Sequence, residues 1–275
     1  MGVRRGLLAV LVVAASTVAL AFLVLPMAAI FLRVPPGDLL HELTNPVVKD
    51  ALVVSLKTTA IAQVLILLFG TPLAYLLASR RFRGRSVLVT IVELPLVLPP
   101  AVAGLGLLAA FGRVGLLGST LDTFGISLPF TQTAVTLAVA FVASPLYIRQ
   151  AIAAFEAVDP DLVAASRTLG AGPVRTFFRV NLPLARGGLA AGEALAFARG
   201  LGEFGATIMF AGSFQGVTQT LPLAIYEQFA IDFDSALAMG ALLVVVSAAL
   251  LLSIKLLLSW QPSRQTSSSA YAPST

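Results

Sequence analysis

The sequence lacks cysteine altogether, and His41 is its only histidine. Thiolate and imidazole groups are the usual zinc ligands and the usual members of a nucleophilic catalytic dyad. Only 11% of the 275 residues are charged, and the acidic ones are scattered along the chain. We therefore expect no catalytic residues, no metal site and no cofactor on this chain.

Apolar residues are abundant: they make up 58% of the chain, and the mean hydropathy is +0.95. No soluble globular class has this composition, so a lipid bilayer is the expected solvent. In a soluble protein, the formal net charge of +5 would suggest nucleic-acid binding. Here the charges lie mainly in short segments between apolar runs and indicate membrane topology, so we expect no nucleic-acid partner.

Six apolar segments are long enough to cross a bilayer, whose hydrocarbon core requires about 20 residues of helix. They cover 7–32, 51–78, 87–111, 132–148, 189–211 and 236–259. The first has the charge order of a signal peptide but is too long for one, so we interpret it as a retained span. The sequence thus predicts an all-α integral membrane protein with six transmembrane helices.

Basic residues are distributed unevenly over the connecting segments. With the N-terminus inside, the outer loops hold only Arg33, Lys49 and Arg113. The inner segments hold Arg4, Arg5, Arg80, Arg81, Arg83, Arg85, Arg149, Arg167, Arg175, Arg179, Arg186 and Arg264. The positive-inside rule then predicts a multi-pass protein of the cell (cytoplasmic or inner) membrane with both termini cytoplasmic. The serine-rich tail, 259–275, is predicted to be disordered.

The third span contains three prolines, Pro95, Pro99 and Pro100, followed by Gly104 and Gly106. Proline removes helical hydrogen bonds, and the freed carbonyls are tolerated in a membrane only where protein or a wet cavity satisfies them. This span is therefore a candidate lining of a translocation route. The alternative, a kink that only shapes helix packing, stays open.

The inner segment 149–188 is much longer than the others and is strongly patterned. An aspartate at the N-cap, Asp159, followed by Pro160 and Asp161, predicts the start of a short helix that Gly170 ends. Pro173 predicts a second helix that Pro183 ends. On that helix the apolar side chains of Val174, Phe177 and Phe178 share one face and Arg175 and Arg179 lie on another. One interpretation is that both helices lie on the membrane surface, with arginines against anionic lipid.

The same segment resembles the EAA motif of permease subunits of bacterial ABC importers. Ala164-Ala165-Ser166 is followed after three residues by Gly170, and nine residues later by Val180-Asn181-Leu182-Pro183. The resemblance implies a coupling loop that docks on a cytoplasmic ABC ATPase subunit. Its candidate coupling residues are Asp161, Ala164, Ala165, Arg167, Gly170, Phe177, Leu182 and Pro183. The chain departs from the motif at Ala164, where the family has glutamate, and less at Ser166 and Val180.

The fifth span combines a stripe of small residues with ionisable ones. Gly188, Gly192, Ala196 and Gly200 recur every four residues, which predicts close packing against another helix. Glu193, Arg199 and Glu203 lie in the same span, where ionisable residues are functional candidates. Arg199 and Glu203 are four residues apart, so we expect them to pair. A second pair, between Lys57 and Glu93, is possible across the second and third spans.

Residues 198–212, 216–226 and 94–100 are similar to the corresponding stretches of molybdate permeases. This resemblance covers 48–258 and implies the ABC importer type I permease fold and import of a small oxyanion. The related sulfate and thiosulfate permeases remain an alternative. A bare carboxylate would repel an oxyanion, so we expect Glu203 to be neutralised and to fix helix geometry. The candidates for the translocation pathway are Pro95, Pro99, Pro100, Arg199, Glu203, Gly205 and Thr207.

The resemblance also implies the partners and the domain organisation. The expected partners are a second copy in a homodimer, the ATPase, an extracytoplasmic oxyanion-binding protein and the lipid bilayer. The chain has no phosphate-binding Gly-x-x-x-x-Gly-Lys motif, so ATP hydrolysis is expected on the separate subunit and the chain is not an enzyme. We divide it into an N-terminal helix with the first outer loop (1–47), a permease core (48–258) and the tail. The alternatives are a gradient-driven secondary transporter, although no internal repeat is visible, and an intramembrane enzyme.

Overall fold

The fold is described by a computed structural model that covers residues 2–259. All regular structure within these residues is helical, as predicted, while the tail from residue 260 onward lies outside them. The helices are α1 (Gly2–Arg33), α2 (Pro36–Glu42), α3 (Pro46–Leu65), α4 (Thr71–Ser79), α5 (Arg85–Val97), α6 (Pro100–Phe111), α7 (Gly118–Thr123), α8 (Gln132–Glu156), α9 (Pro160–Thr168), α10 (Pro173–Thr176), α11 (Leu182–Leu201), α12 (Gly205–Ala211), α13 (Leu221–Phe229) and α14 (Phe233–Ser259). Two π-helical segments, Ile66–Gly70 and Phe177–Asn181, join α3 to α4 and α10 to α11.

Four helical segments of the described chain are long and apolar enough to cross a membrane. They are Leu8–Arg33, Pro46–Ser79, Gln132–Glu156 and Phe233–Ser253. A fifth span results if α5 and α6, which are bent by 114° at their junction, are counted together. The protein is thus a multi-pass membrane protein, but the predicted count of six is not matched.

The predicted fifth span, 189–211, is not among these segments, for two physical reasons. Its main helix, α11, carries Arg186, Glu193 and Arg199, which lower the hydropathy of a helix of only 20 residues. In addition, the helix ends at Leu201, and α12 begins only at Gly205. The helices also extend beyond the predicted spans, since α8 reaches Glu156 and α11 begins at Leu182.

Helix α8 is the centre of the packing and contacts α3, α4, α5 and α11. The predicted stripe of small residues on α11 faces it. A Cβ atom at Gly188 would lie 2.5 Å from the Cβ of Ala154, and one at Gly200 would lie 2.8 Å from Val139 Cγ1. The stripe therefore allows the backbones of α8 and α11 to approach closely, as predicted.

Both π-helical segments end two residues before a proline, Pro72 or Pro183. Proline has no amide hydrogen to donate to the carbonyl four residues earlier, so a widened turn at this position absorbs the missing hydrogen bond. The predicted helix end at Pro183 is therefore wrong: helical structure continues from Pro173 to Leu201. The second segment thereby connects α10 rigidly to α11.

Candidate functional sites

The predicted coupling helix, α9, has the bounds that its sequence signals indicate. The side chain of Asp159 accepts a hydrogen bond from the Asp161 amide at 2.8 Å and so caps the first turn. At the other end, Gly170 has a φ of +80°, and the Ala171 amide donates to the Ser166 carbonyl at 3.1 Å. No atom lies within 4 Å of a Cβ built at Gly170. Glycine is therefore needed here for the left-handed backbone and not for a close approach.

The outer surface of α9 is free to contact another molecule. Asp161, Ala164, Ala165 and Arg167 are all exposed. Ser166 instead points inward, where its hydroxyl is 3.0 Å from the hydroxyl of Thr176 and ties α9 to α10. We call the four exposed residues the α9 face; it is small and lacks an acidic side chain at Ala164.

The segment after α9 is anchored to the membrane helices by aromatic contacts. The ring of Phe177 lies 4.7 Å from the ring of Tyr75 on α4 and 6.1 Å from that of Phe155 on α8. The side-chain amide nitrogen of Asn181 lies 3.4 Å from the Tyr75 hydroxyl and 3.5 Å from the Thr176 carbonyl oxygen. This side chain therefore lies inside the widened turn. Nothing in the sequence pattern pointed to Tyr75 or Asn181, because their contact joins residues that are 106 positions apart.

Two further candidate coupling residues lie at the beginning of α11. Leu182 is half-buried and packs against the apolar cluster around Tyr147, whereas Pro183 is exposed in the first turn. Proline is tolerated there because the widened turn before it absorbs the missing hydrogen bond. Between the α9 face and α11 lie the loop at 169–172, which the contact of Ser166 with Thr176 bridges, and the widened turn.

The candidate pathway residues lie at two interruptions of helices. The first break, at 98–99, separates α5 from α6: Pro95 lies inside α5, Pro99 is the N-cap of α6 and Pro100 its first residue. The second break, at 202–204, separates α11 from α12. The predicted pairing of Lys57 with Glu93 is wrong. Lys57 donates to Gln132 Oε1 at 2.8 Å, and Glu93 Oε1 lies 3.7 Å from Arg149 Nε.

The second break is held by the side chain of Glu203, which is only 1% exposed. Its Oε2 lies 2.7 Å from Arg199 Nη2, so the expected ion pair is present. Its Oε1 accepts a hydrogen bond from the Ala206 amide at 2.8 Å. One carboxylate therefore links the last turn of α11 to the first turn of α12, with its charge balanced by the arginine.

The two breaks meet in the fold. A Cβ atom at Gly205 would be 2.7 Å from the Cβ of Pro100, and one at Gly104 would be 2.6 Å from the Ala206 carbonyl oxygen. No side chain fits between α6 and α12 at these points. Thr207 is fully buried next to this contact, and no hydrogen-bond partner of its hydroxyl is found among the described residues.

Comparisons with known proteins agree with the resemblances drawn from the sequence. Residues 70–266 match the family described as "Binding-protein-dependent transport system inner membrane component". The chain is 46% identical over 235 residues to the molybdenum transport system permease protein ModB of Mycobacterium tuberculosis, covering 86% of this chain and 89% of the relative. It is 42% identical over 212 residues to ModB of Escherichia coli K12, covering 77% and 92%.

The fold is also similar to that of a solved transporter. The structure of a bacterial alginate ABC transporter in complex with an alginate-bound periplasmic protein aligns with a TM-score of 0.73 at 16% identity. The alignment covers 93% of each chain. At this identity the likeness supports the predicted permease fold alone, while the sequence relatives confirm the family resemblance.

Proposed function

Because the chain belongs to the family of binding-protein-dependent transport system inner membrane components, we propose that it is the permease subunit of an ATP-driven importer of molybdate. Its relatives at 42% and 46% identity are named molybdenum permeases. The observation that carries the proposal is the α9 face. It is an exposed helix surface, and the contact of Ser166 with Thr176 ties its helix to α10, from which helical structure continues into α11.

In this proposal the α9 face is the docking surface for a cytoplasmic ABC ATPase. Ala164 and Ala165 allow close approach of the partner, while Asp161 and Arg167 supply charges of both signs. Movement of the docked helix is transmitted through Phe177 and the widened turn to α11. ATP is hydrolysed on the partner, and this chain is not an enzyme.

The breaks at 98–99 and 202–204 are proposed to form the movable part of the translocation pathway. The close packing of Gly205 against Pro100, which holds α6 against α12, supports this assignment. Pairing with Arg199 balances the negative charge of the buried Glu203 carboxylate. Without this pairing, the negative charge would repel a passing dianion. Glu203 thus serves as a positioning residue for α12, and tilting of α11 separates α12 from α6.

The proposed assembly is a homodimer of this chain with two ATPase subunits and an extracytoplasmic oxyanion-binding protein. Both termini and the coupling loop, 149–188, lie on the cytoplasmic side, as the arginine distribution favours. The core, 48–258, forms the pathway, and residues 1–47 supply an additional lipid-facing helix. A sulfate or thiosulfate permease is the second candidate, because tetrahedral oxyanions place similar demands on a pathway.

Uptake into proteoliposomes tests the proposal. Vesicles containing the chain and its co-expressed ATPase, with the binding protein outside, should accumulate radiolabelled molybdate with ATP inside and not with a nonhydrolysable analogue. Excess sulfate should compete weakly if molybdate is the substrate and strongly if it is not. Uptake driven by an ion gradient in vesicles holding this chain alone would contradict the proposal and support a secondary transporter.

A further inference from the structure

A cavity of about 740 Å³ opens between the end of α4 and α10, on the side of the membrane that carries the coupling loop. Its lining includes Pro72 and Tyr75 of α4, the adjoining Arg80, Arg167 of α9, and Phe177 and Phe178. From Pro72 to Arg80 the cavity follows α4 for about 12 Å, since each helical residue rises about 1.5 Å. It is therefore apolar and aromatic towards the membrane and basic at the helix end.

The two arginines of this cavity are available for an anion. Both are exposed, and no carboxylate of the described side chains lies within ion-pair distance of either. A guanidinium carries five hydrogen-bond donors and matches the geometry of phosphate oxygens. Basic pockets between membrane helices on the cytoplasmic side are known to bind the headgroups of anionic lipids.

The apolar residues beside the arginines point to an amphiphile and not to a free ion. Val174 and Phe178 are 71% and 60% exposed, although both are large apolar side chains. They also line a neighbouring cavity of about 480 Å³, together with Arg175 and Arg179. Exposed apolar groups flanked by arginines are typical of helices that lie in the interface of an anionic membrane.

We propose that the cavity binds an anionic phospholipid, with the phosphate on Arg80 and Arg167 and one acyl chain along Tyr75 and Pro72. A phospholipid matches both ends of the cavity, because its phosphate suits the arginines and its acyl chain suits the apolar wall formed by Pro72, Tyr75 and Phe177. The bound lipid fastens α10 to α4 beside the α9 face, and Arg167 is shared by the cavity and that face. This inference uses the proposed orientation only to identify the leaflet as cytoplasmic.

Lipid binding by the purified chain in neutral detergent tests the inference without ATPase or transport. In calorimetric titrations, dioctanoyl-phosphatidylglycerol should bind about tenfold or more tightly than dioctanoyl-phosphatidylcholine, because two arginines contact its charged headgroup. Arg80→Gln should abolish most of this preference, and Arg80→Lys, which keeps the charge, should retain part of it. Arg81→Gln, in the same exposed loop but outside the cavity lining, should leave it unchanged.

Four results would overturn the inference. Equal affinity for the two lipids, or equal effects of Arg80→Gln and Arg81→Gln, would exclude a lipid site at Arg80. Displacement of the lipid by inorganic phosphate or molybdate at equal concentration would make the cavity a site for free oxyanions. Displacement by the purified ATPase would make it part of a protein interface. Each result leaves the uptake experiment unaffected, so the two proposals fail independently.

Discussion

The exposed α9 face and the buried contact between the two helix breaks differ in what determines their structure. Around α9, each feature follows from its own neighbours in the sequence: an aspartate cap, a proline start and a left-handed glycine. At the breaks, the decisive contacts join α6 to α12 across more than a hundred residues. Local rules thus shape the exposed α9 face, whereas tertiary packing shapes the contact between the two breaks.

The largest effect is expected from Gly205→Val at the contact between the breaks. Its Cβ atom would lie 2.7 Å from the Cβ of Pro100 and 3.1 Å from the Ala101 amide nitrogen, so backbone must move. We expect a loss of about 3 kcal/mol in the free energy of unfolding, together with loss of molybdate uptake. Gly106→Val is the matched control, because nothing lies within 4 Å of that Cβ position. Equal unfolding midpoints in detergent would show that the contact is not tight.

Glu203→Gln should have the next largest effect. The new side chain still accepts from the Ala206 amide but leaves Arg199 without a counter-charge. We expect a destabilisation of about 2 kcal/mol, below the range for fully buried pairs because Arg199 is partly exposed. Uptake should fall, and the double variant with Arg199→Gln should be less impaired than the two single effects combined.

Glu193→Gln is the control for the ion pair at the second break. Glu193 lies on α11, as Arg199 does, but makes no ion pair with a described side chain. Its replacement should leave both the unfolding free energy and molybdate uptake nearly unchanged. If Glu203→Gln behaved like Glu193→Gln in both measurements, the positioning role of Glu203 would be refuted.

On the exposed side of the comparison, Gly170→Leu should act through the loop and not through the core. A non-glycine residue in the left-handed conformation costs about 1 to 2 kcal/mol, which is enough to distort the end of α9. Membrane insertion and the unfolding midpoint should be retained, while ATPase co-purification and uptake decrease. Gly170→Asn should preserve more activity, because asparagine tolerates this conformation. If uptake and ATPase binding both survived Gly170→Leu, the proposal that α9 docks on the ATPase would be wrong.

The smallest effect is expected for Asp159→Ala, which removes the N-cap of α9. The stability of this helix should fall by about 1 kcal/mol. The stability of the rest of the protein should not change, because the exposed face of α9 contributes little to the core. Hydrogen exchange of the α9 amides should accelerate, while the unfolding midpoint stays constant. Asp159→Asn, an equally good cap, should exchange at the original rate; faster exchange in both variants would argue against capping.

The sequence predicted the parts of the molecule that local signals determine. The start and end of α9, the small-residue stripe on α11 and the pairing of Arg199 with Glu203 depend on residues at most four positions apart or on a simple period. The family resemblance was likewise recognisable, because its motifs are contiguous. These features therefore needed no knowledge of the fold.

The predictions that failed required the relative rotation of separate helices. Lys57 and Glu93 are both ionisable, but which neighbour each faces depends on how α3 and α5 turn towards α8. The convergence of Pro100 and Gly205 has the same origin. The end predicted at Pro183 failed because a widened turn compensates for its missing hydrogen bond. Apolar periodicity alone fixes none of these relations.

The π-helical segment Phe177–Asn181 determines how α10 can move relative to α11 while the helix stays continuous. Its turn contains one residue more than an α-helical turn. If this turn tightened to an α-helical one, everything on its N-terminal side would rotate by about 100° and shift by about 1.5 Å relative to α11. The helix would remain unbroken throughout. Conversion of this single turn would therefore change the register between α10 and α11 in one step of fixed size.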